Sequence, residues 1–221
     1  MLKRLFKPGT QSSLIDAAFS DVSSMLAQSE NMFDLAIKAL LDNQPITKAD
    51  LDRMDDVVDE GERMVRRTIL HHLSVNPQQD LVASLVLTSM VHDAERVGDF
   101  AGALGHLVGL AESPREGAYR DNLREMVNEI RPMFQLCEQS FREDDPEKSR
   151  TVIKTHGLIR KKLTAFRRQV AKSDLTADMA VVYAGASHLL FRTSSHLCNI
   201  ASTVVHPYDR KPSKYETFEQ F

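Results

Sequence analysis

The chain has 221 residues, of which 42% are apolar and 27% charged, so it can bury a sizeable core and does not have the composition of a disordered chain. Its 28 basic and 31 acidic side chains leave a net charge of -3, whereas nucleic-acid-binding proteins usually carry a strong basic excess. Nine glycines and eight prolines are too few for a turn-rich β fold, which favours long helices. The only two cysteines, Cys137 and Cys198, exclude a disulfide framework and fit a reducing compartment.

The N-terminal segment contains basic residues but no apolar region after them, so we expect no signal peptide. No stretch approaches the roughly 18 uninterrupted apolar residues of a membrane-spanning helix. We therefore expect a cytoplasmic protein that binds no nucleic acid.

Prolines, together with a break at Ser173-Asp-Leu-Thr176, divide the sequence into six segments of roughly 30 residues. Each segment has apolar residues at the three- and four-residue spacing of a helix. In the first and fourth segments this stripe alternates threes and fours, which is the spacing of nearly parallel helix packing. The six predicted helices cover about 13–43, 47–75, 78–111, 115–143, 146–173 and 177–206.

The six segments fall into two similar halves. Pro45 closes the first predicted helix and Pro146, 101 residues later, closes the fourth; Arg96 in the third corresponds to Arg192 in the sixth, 96 residues later. The sequence thus predicts an all-α fold of two tandem antiparallel three-helix bundles. We expect the first domain over 12–111, the second over 114–207, and a short tail over 208–221.

Carboxylates are concentrated on two neighbouring predicted helices. The second contains Asp55-Asp-Val-Val-Asp-Glu-Gly-Glu62, and the third contains His92-Asp-Ala-Glu-Arg-Val-Gly-Asp99. Residues four apart share a helix face, so Asp55 lies beside Asp59, and Glu95 beside Asp99. Like charges at short range are costly unless a cation neutralises them, which predicts a carboxylate-rich site for one or two hard or borderline cations. The alternative is a solvated acidic face with these arginines as its partners: Arg53, Arg63, Arg66, Arg67 and Arg96.

Several of these motifs resemble those of the PhoU family. Glu95-Arg-Val-Gly-Asp99 resembles the Glu-Arg-x-Gly-Asp signature on the third helix of the family's three-helix repeats, and Asp55-Asp-Val-Val-Asp59 with Glu62 resembles its second-helix acidic motif. Asn76-Pro-Gln-Gln-Asp-Leu81 resembles its Pro-x-x-Asp-Leu turn. In the second half, His196-Leu-Cys-Asn-Ile-Ala201 preserves the family's Asp-His-x-x-Asn-Ile-Ala ending, although Ser195 replaces the aspartate.

This resemblance implies a soluble, homodimeric, non-enzymatic regulatory protein that acts on phosphate uptake and the phosphate-starvation response. Its partners would be the phosphate ABC transporter, its sensor histidine kinase, or both. The resemblance also implies that iron, zinc, manganese or magnesium binds through the acidic motifs of the first repeat, at Asp55, Asp56, Asp59, Glu95 and Asp99.

The second half lacks these carboxylates. His156, Gly157 and Arg160 stand at the positions of Asp55, Asp56 and Asp59, while Phe191 and Ser195 stand at those of Glu95 and Asp99. We therefore expect metal in the first repeat only. The fifth helix is strongly basic, and beside it the sixth helix carries His188, Arg192 and His196 at four-residue spacing. Such a surface can attract an acidic partner, bind an anion or simply be solvated.

Other classes of function have less support in the sequence. A carboxylate-bridged di-metal oxidase needs Glu-x-x-His pairs on two helices, and the sequence contains none. A metal-free helical scaffold, or an accessory protein of another ion transporter, remains the alternative because half of the acidic motifs are missing. No nucleophile–base–acid set at motif spacing supports a hydrolase or a transferase.

Overall fold

The computed structural model describes residues 13–75, 77–78 and 80–206, and the predicted tail over 208–221 lies outside these ranges. Part of the predicted turn at 76–81 also lies outside them. The described residues contain six α-helices, one short 3-10 helix and no strand. The α-helices are α1 (Ser13–Asp42), α2 (Lys48–Val75), α3 (Leu81–His106), α4 (Gly117–Arg142), α5 (Pro146–Val170) and α6 (Ala177–Val205).

The helix ends agree with the proline pattern to within a few residues. Pro146 occupies the first turn of α5, where the side chain of Asp145 accepts hydrogen bonds from the backbone N–H groups of Glu147 and Lys148 at 2.9 and 3.2 Å. The third helix is shorter than predicted, because α3 ends at His106 and a 3-10 helix follows at Leu107–Leu110. Helix α4 continues through Pro132, as its uninterrupted apolar stripe predicted.

The six helices form the two predicted three-helix bundles. Helices α1, α2 and α3 all pack against one another and are called the first repeat; α4, α5 and α6 do the same and are called the second repeat. The repeats meet mainly along α3 and α6, with a smaller contact between α1 and α4, and one apolar core runs through both. Helices α2 and α5 therefore form the outer edges of the fold. None of the helices in the described ranges has the length and apolar character needed to cross a bilayer.

Buried positions recur between the repeats at the two spacings that the sequence suggested. Four buried residues of α2 each have a buried apolar counterpart in α5, 101 residues later. In α3 and α6 the spacing is 96 residues, as in the buried pairs Met90 with Ala186 and Val97 with Thr193. The α2 and α5 pairs are Leu51 with Val152, Val58 with Ile159, Val65 with Phe166, and Ile69 with Val170. The domain limits of 12–111 and 114–207 stay a prediction.

The link between the repeats is held by Arg115, which is 5% exposed. Its guanidinium donates to the carbonyl oxygens of Leu40 at 2.9 Å and Ala39 at 3.3 Å, two groups in the last turn of α1. Its backbone N–H donates to the side chain of Asn43 at 3.1 Å. The segment at 111–117, predicted from its breaker residues to be the boundary, is thus fixed to the end of α1.

A buried polar cluster joins the repeats at the contact of α3 and α6. Asp93 is 4% exposed, and its Oδ1 atom lies 2.8 Å from Nδ1 of His196 and accepts a hydrogen bond from Asn199 at 3.0 Å. His196 therefore does not lie on one basic face with His188 and Arg192, and the prediction from their four-residue spacing is wrong on this point. Eight residues of helix turn by roughly 80° beyond two full turns, which directs His196 into the repeat interface.

Candidate metal site

Two glycines of α3 let this helix approach α2 closely. A Cβ atom on Gly98 would lie 3.0 Å from Cγ1 of Val58, and one on Gly105 would lie 2.5 Å from Cδ1 of Leu51. The close approach brings the polar edges of the two antiparallel helices together beside the apolar contact. The carboxylates along this edge are called the acidic groove, which consists of Asp55, Asp59, Glu62, Glu95 and Asp99.

At one end of the acidic groove, three side chains from both helices converge. Glu62 on α2 and His92 and Glu95 on α3 each offer a ligand atom within 4.8 Å of the other two. Nδ1 of His92 lies 3.9 Å from Oε2 of Glu95. Oxygen and imidazole nitrogen donors together suit zinc, iron and manganese better than magnesium.

The environment of Glu95 opposes its ionisation. Its side chain is 13% exposed, and loss of hydration raises the pKa to about 7. The charge of Asp99 adds to this increase, while the guanidinium of Arg96, 3.2 Å away, opposes it. Oε2 of Glu95 is buried and makes no hydrogen bond within the described residues, and its one close cation there is Nε of Arg96 at 3.2 Å. A carboxylate in this state gains from a cation that replaces its proton and completes its coordination.

At the other end of the groove, Asp55 on α2 faces Asp99 on α3. Loss of hydration is the main cause that raises the pKa of Asp55, and the negative charges of Asp99 and Asp59 raise it further. The pKa of Asp99 is also raised mainly by loss of hydration, with Arg96 opposing and Asp59 adding to the increase. Asp55 and Glu62 are about 10 Å apart along the helix, so the two ends of the groove are separate positions.

The structure brings together four of the five residues predicted as metal ligands: Asp55, Asp59, Glu95 and Asp99. The fifth, Asp56, is exposed and acts on Asp55 only through its charge. The predicted set omitted Glu62 and His92, which the structure places in the groove. Helix spacing contained the signal for both, because Glu62 follows Asp59 by three residues and His92 precedes Glu95 by three.

Arginines pair with part of the acidic groove, as the alternative interpretation predicted. Arg96 donates to Asp99 at 2.7 Å, and Arg66 donates to Glu62 at 2.7 Å. Arg63 lies 3.8 Å from Asp59. These arginine side chains are 41 to 55% exposed, so water screens their charges. Loss of hydration, with repulsion between the carboxylates, still raises the pKa values of Asp55, Glu95 and Asp99.

At the position of Asp55, the corresponding edge of the second repeat carries a buried histidine that packs against an aromatic ring. His156 is 8% exposed, its Nδ1 atom lies 3.1 Å from the hydroxyl of Ser194, and its ring packs 5.8 Å from that of Phe191. Burial, followed by the charge of Arg160, lowers the pKa of His156 to about 4. Helices α5 and α6 each contain one acidic residue, located in the first turn. This groove therefore cannot hold a carboxylate-bound cation.

Comparison with a family model identifies the first repeat. Residues 22–108 match the model of the PhoU domain. This part of the chain is similar to a PhoU domain. This match includes the whole acidic groove and ends within the 3-10 helix after α3. The resemblance to the PhoU family that the sequence motifs suggested is confirmed.

Two solved structures show that the PhoU-like fold extends over the second repeat. PhoU from Pseudomonas aeruginosa has a TM-score of 0.81 at 18% sequence identity, covering 90% of this chain and 99% of that one. The phosphate transport system regulatory protein PhoU from Streptococcus pneumoniae has a TM-score of 0.80 at 16% identity, covering 89% and 96%. At these identities the likeness shows the fold. A comparison with curated protein sequences found no significant match.

Proposed function

We propose that this protein is a metal-dependent, non-enzymatic regulator of PhoU type that modulates phosphate uptake and phosphate-starvation signalling. The observation that carries the proposal is the acidic groove of a PhoU domain, in which Glu95 has a buried oxygen without a hydrogen bond and a pKa raised to about 7. Such a carboxylate is poised to exchange a proton for a cation.

The side chains that would hold a cation come from both helices of the groove. Asp55, Asp59 and Asp99 offer oxygen ligands at one end, and Glu62, His92 and Glu95 offer oxygen and nitrogen ligands at the other. Iron, zinc or manganese fits this mixed set best, with magnesium as the weaker candidate. A bound cation would supply the positive charge that the carboxylates lack and would tie α2 to α3. The outer edge of the first repeat would then be stiffer and less negative.

The regulatory role would be performed through protein contacts. We propose a cytoplasmic homodimer whose partners are the phosphate ABC transporter, its sensor histidine kinase, or both, and which approaches the membrane only through them. The support is the PhoU domain together with the fold of a protein titled a phosphate transport system regulatory protein. The alternative is a metal-free helical scaffold or an accessory protein of another ion transporter, which the pairing of Arg96 and Arg66 with groove carboxylates favours.

Elemental analysis of protein purified without chelators or an affinity metal tests the cation site. We expect stoichiometric iron, zinc or manganese in the wild type and loss of at least about tenfold in a Glu95→Ala/Asp99→Ala variant, because both ends of the groove lose a ligand. The matched control is Glu112→Ala/Asp174→Ala, which removes the same charge from exposed positions outside the groove.

Metal that remains in the first variant, or that falls equally in both, would contradict the proposed site. Absence of metal from the wild type, with unchanged folding of both variants, would favour the scaffold. The regulatory role has its own measurement, namely phosphate uptake by cells that lack the gene and are complemented with wild type or either variant. Uptake that does not depend on the gene would exclude the phosphate role even if metal is bound.

A further inference from the structure

The second repeat carries cations along the edge where the first repeat carries the acidic groove. Arg160 stands at the position of Asp59, and Arg167, His188 and Arg192 lie further along the same two helices. These four residues are called the cationic groove. We propose that the cationic groove between α5 and α6 binds a phosphate-type oxyanion, either as a free ion or as the phosphate of a lipid headgroup.

Aromatic rings position two of the arginines. The guanidinium carbon of Arg167 lies 6.0 Å from the centre of the Phe191 ring, and that of Arg192 lies 5.2 Å from the centre of the Phe100 ring. A guanidinium held against a ring keeps its N–H donors free at the edge of its plane, and these match two oxygens of a phosphate. The rings thus prearrange the donors without neutralising them.

The two arginines also lack acidic partners. Both are partly buried, and no carboxylate among the described residues lies within 4 Å of either guanidinium. Other cations of the second repeat are paired, since Lys148 contacts Glu143, Arg150 contacts Glu147, and Lys162 contacts Glu129. Helix α5 as a whole has eight basic residues and one acidic residue. Within the described part of the chain, the positive charges of Arg167 and Arg192 are therefore uncompensated.

His188 locates both arginines at one place in the groove. Arg192 follows His188 by one helical turn on α6, and Arg167 of α5 reaches α6 at the ring of Phe191. Consistent with this arrangement, the pKa of His188 is lowered mainly by loss of hydration and then by the charges of Arg167 and Arg192. Arg160 acts in the same way on the neighbouring His156. Positive groups from α5 and α6 thus meet, and a bound oxyanion would relieve their mutual repulsion.

The burial of these arginines favours a small anion over an acidic protein surface. Docking of a protein surface relies on extended, exposed charges, such as those of Lys154, Lys161 and Arg168 on the outer face of α5. Arg167 and Arg192 instead lie partly buried beside rings, where a small tetrahedral ion can reach both. The proposal does not depend on the acidic groove or on phosphate regulation, because its charged groups all belong to the second repeat and the first repeat contributes only the ring of Phe100.

Calorimetric titration with inorganic phosphate tests the cationic groove directly. The test variant is Arg167→Gln/Arg192→Gln, and the control is Lys154→Gln/Lys172→Gln, which removes two exposed charges from α5 and the turn after it. We expect affinity to fall at least about tenfold in the test variant and less than about threefold in the control, at constant ionic strength. The single variant Arg192→Lys keeps the charge but loses the two-pronged geometry, so it should be intermediate.

Vesicles that contain phosphatidylglycerol, compared with zwitterionic vesicles, separate a lipid headgroup from a free ion. Binding of either probe supports the proposal if it is lost in the test variant and kept in the control, and the probe that binds identifies the source. Binding of neither probe overturns it, and so does an equal loss in both variants. Binding of poly-glutamate that is weakened equally in both variants would instead indicate docking of an acidic protein. Circular dichroism and melting curves check that each variant is folded.

Discussion

The two outer grooves of this protein have the same helical framework and opposite chemistry. In the first repeat, loss of hydration and then repulsion by Asp99 raise the pKa of Glu95 to about 7, so its carboxyl group is partly protonated near neutral pH. In the second, burial and a nearby arginine lower the pKa of His156 to about 4, so that a histidine is held neutral. Buried apolar residues at corresponding positions, such as Val58 in α2 and Ile159 in α5, pack the helices in the same way in both repeats. The polar residues beside them differ in charge between the repeats.

Replacing Asp93 by the residue at its second-repeat counterpart is expected to have the largest effect on the comparison. Leu189 is that counterpart, so Asp93→Leu makes the third helices of the two repeats alike. The change leaves His196 and Asn199 without their buried acceptor and should lower the free energy of unfolding by about 2–4 kcal/mol. Urea denaturation followed by circular dichroism measures it.

Asp93→Asn provides the matched control for this change. It keeps one acceptor oxygen for the two donors, and we expect roughly half of the loss. If Asp93→Leu unfolds at the same urea concentration as the wild type, the polar cluster does not hold the repeats together.

The two grooves should respond to pH in opposite directions, which is the second test. For Glu95 the pKa is about 7 in the folded protein against an ordinary value of 4.5, so the folded state binds more protons between these values. In excess chelator, stability should therefore fall by about 1–2 kcal/mol as pH rises through this window, after allowance for solvent screening. Glu95→Gln should abolish this loss.

For His156 the pKa is about 4 in the folded protein against an ordinary value of 6.5, so the unfolded chain binds more protons between these values. Stability should therefore fall by about 1–3 kcal/mol as pH drops through that window, and His156→Gln should remove the dependence. Thermal unfolding at a series of pH values measures both effects. If stability changed with pH in the same direction in Glu95→Gln and in His156→Gln, the two grooves would not differ in their response to pH.

Asp56→Asn is expected to have the smallest effect and sharpens the limits of the acidic groove. Asp56 is exposed and reaches the groove only through its charge, so cation affinity should fall by less than about threefold. Asp59→Asn, which removes the same charge from within the groove, should lower it at least about tenfold. Competition with a metal-sensitive dye compares the two variants, and equal losses would mean that only net charge matters.

Most of the fold could be predicted from local sequence features. Apolar residues at three- and four-residue spacing define the buried face of each helix, and prolines end the helices because they lack an N–H group. Pro132 shows the limit of that rule, since the apolar stripe of α4 continues across it and so does the helix. The apolar pattern predicts an end of α3 that is too late. The segment at 107–110 is apolar enough to continue the buried stripe of α3, but it forms a 3-10 helix.

The candidate site was less predictable, because it depends on how two helices are rotated against each other. Spacing along one helix paired Asp55 with Asp59, but it gave no measure of how far Asp56 turns away from α3. Helix spacing places Glu62 and His92 on the edge of the groove, but it does not give the distances across the groove that bring them together. Likewise, nothing in the sequence of α6 indicated that His196 would meet Asp93 on a helix 103 residues away.

The contact of Asp93 with His196 also makes the two halves of the chain non-interchangeable. At the counterpart positions stand Leu189 and Phe100, both of which are apolar. Two first repeats joined through their third helices would bury each Asp93 against a Phe100, and two second repeats would set each His196 against a Leu189. Both pairings leave polar groups without partners, whereas one repeat of each kind satisfies them. If two chains exchanged repeats, each first repeat would therefore still have to pack against a second repeat. A single chain already contains one repeat of each kind and satisfies this requirement without a partner.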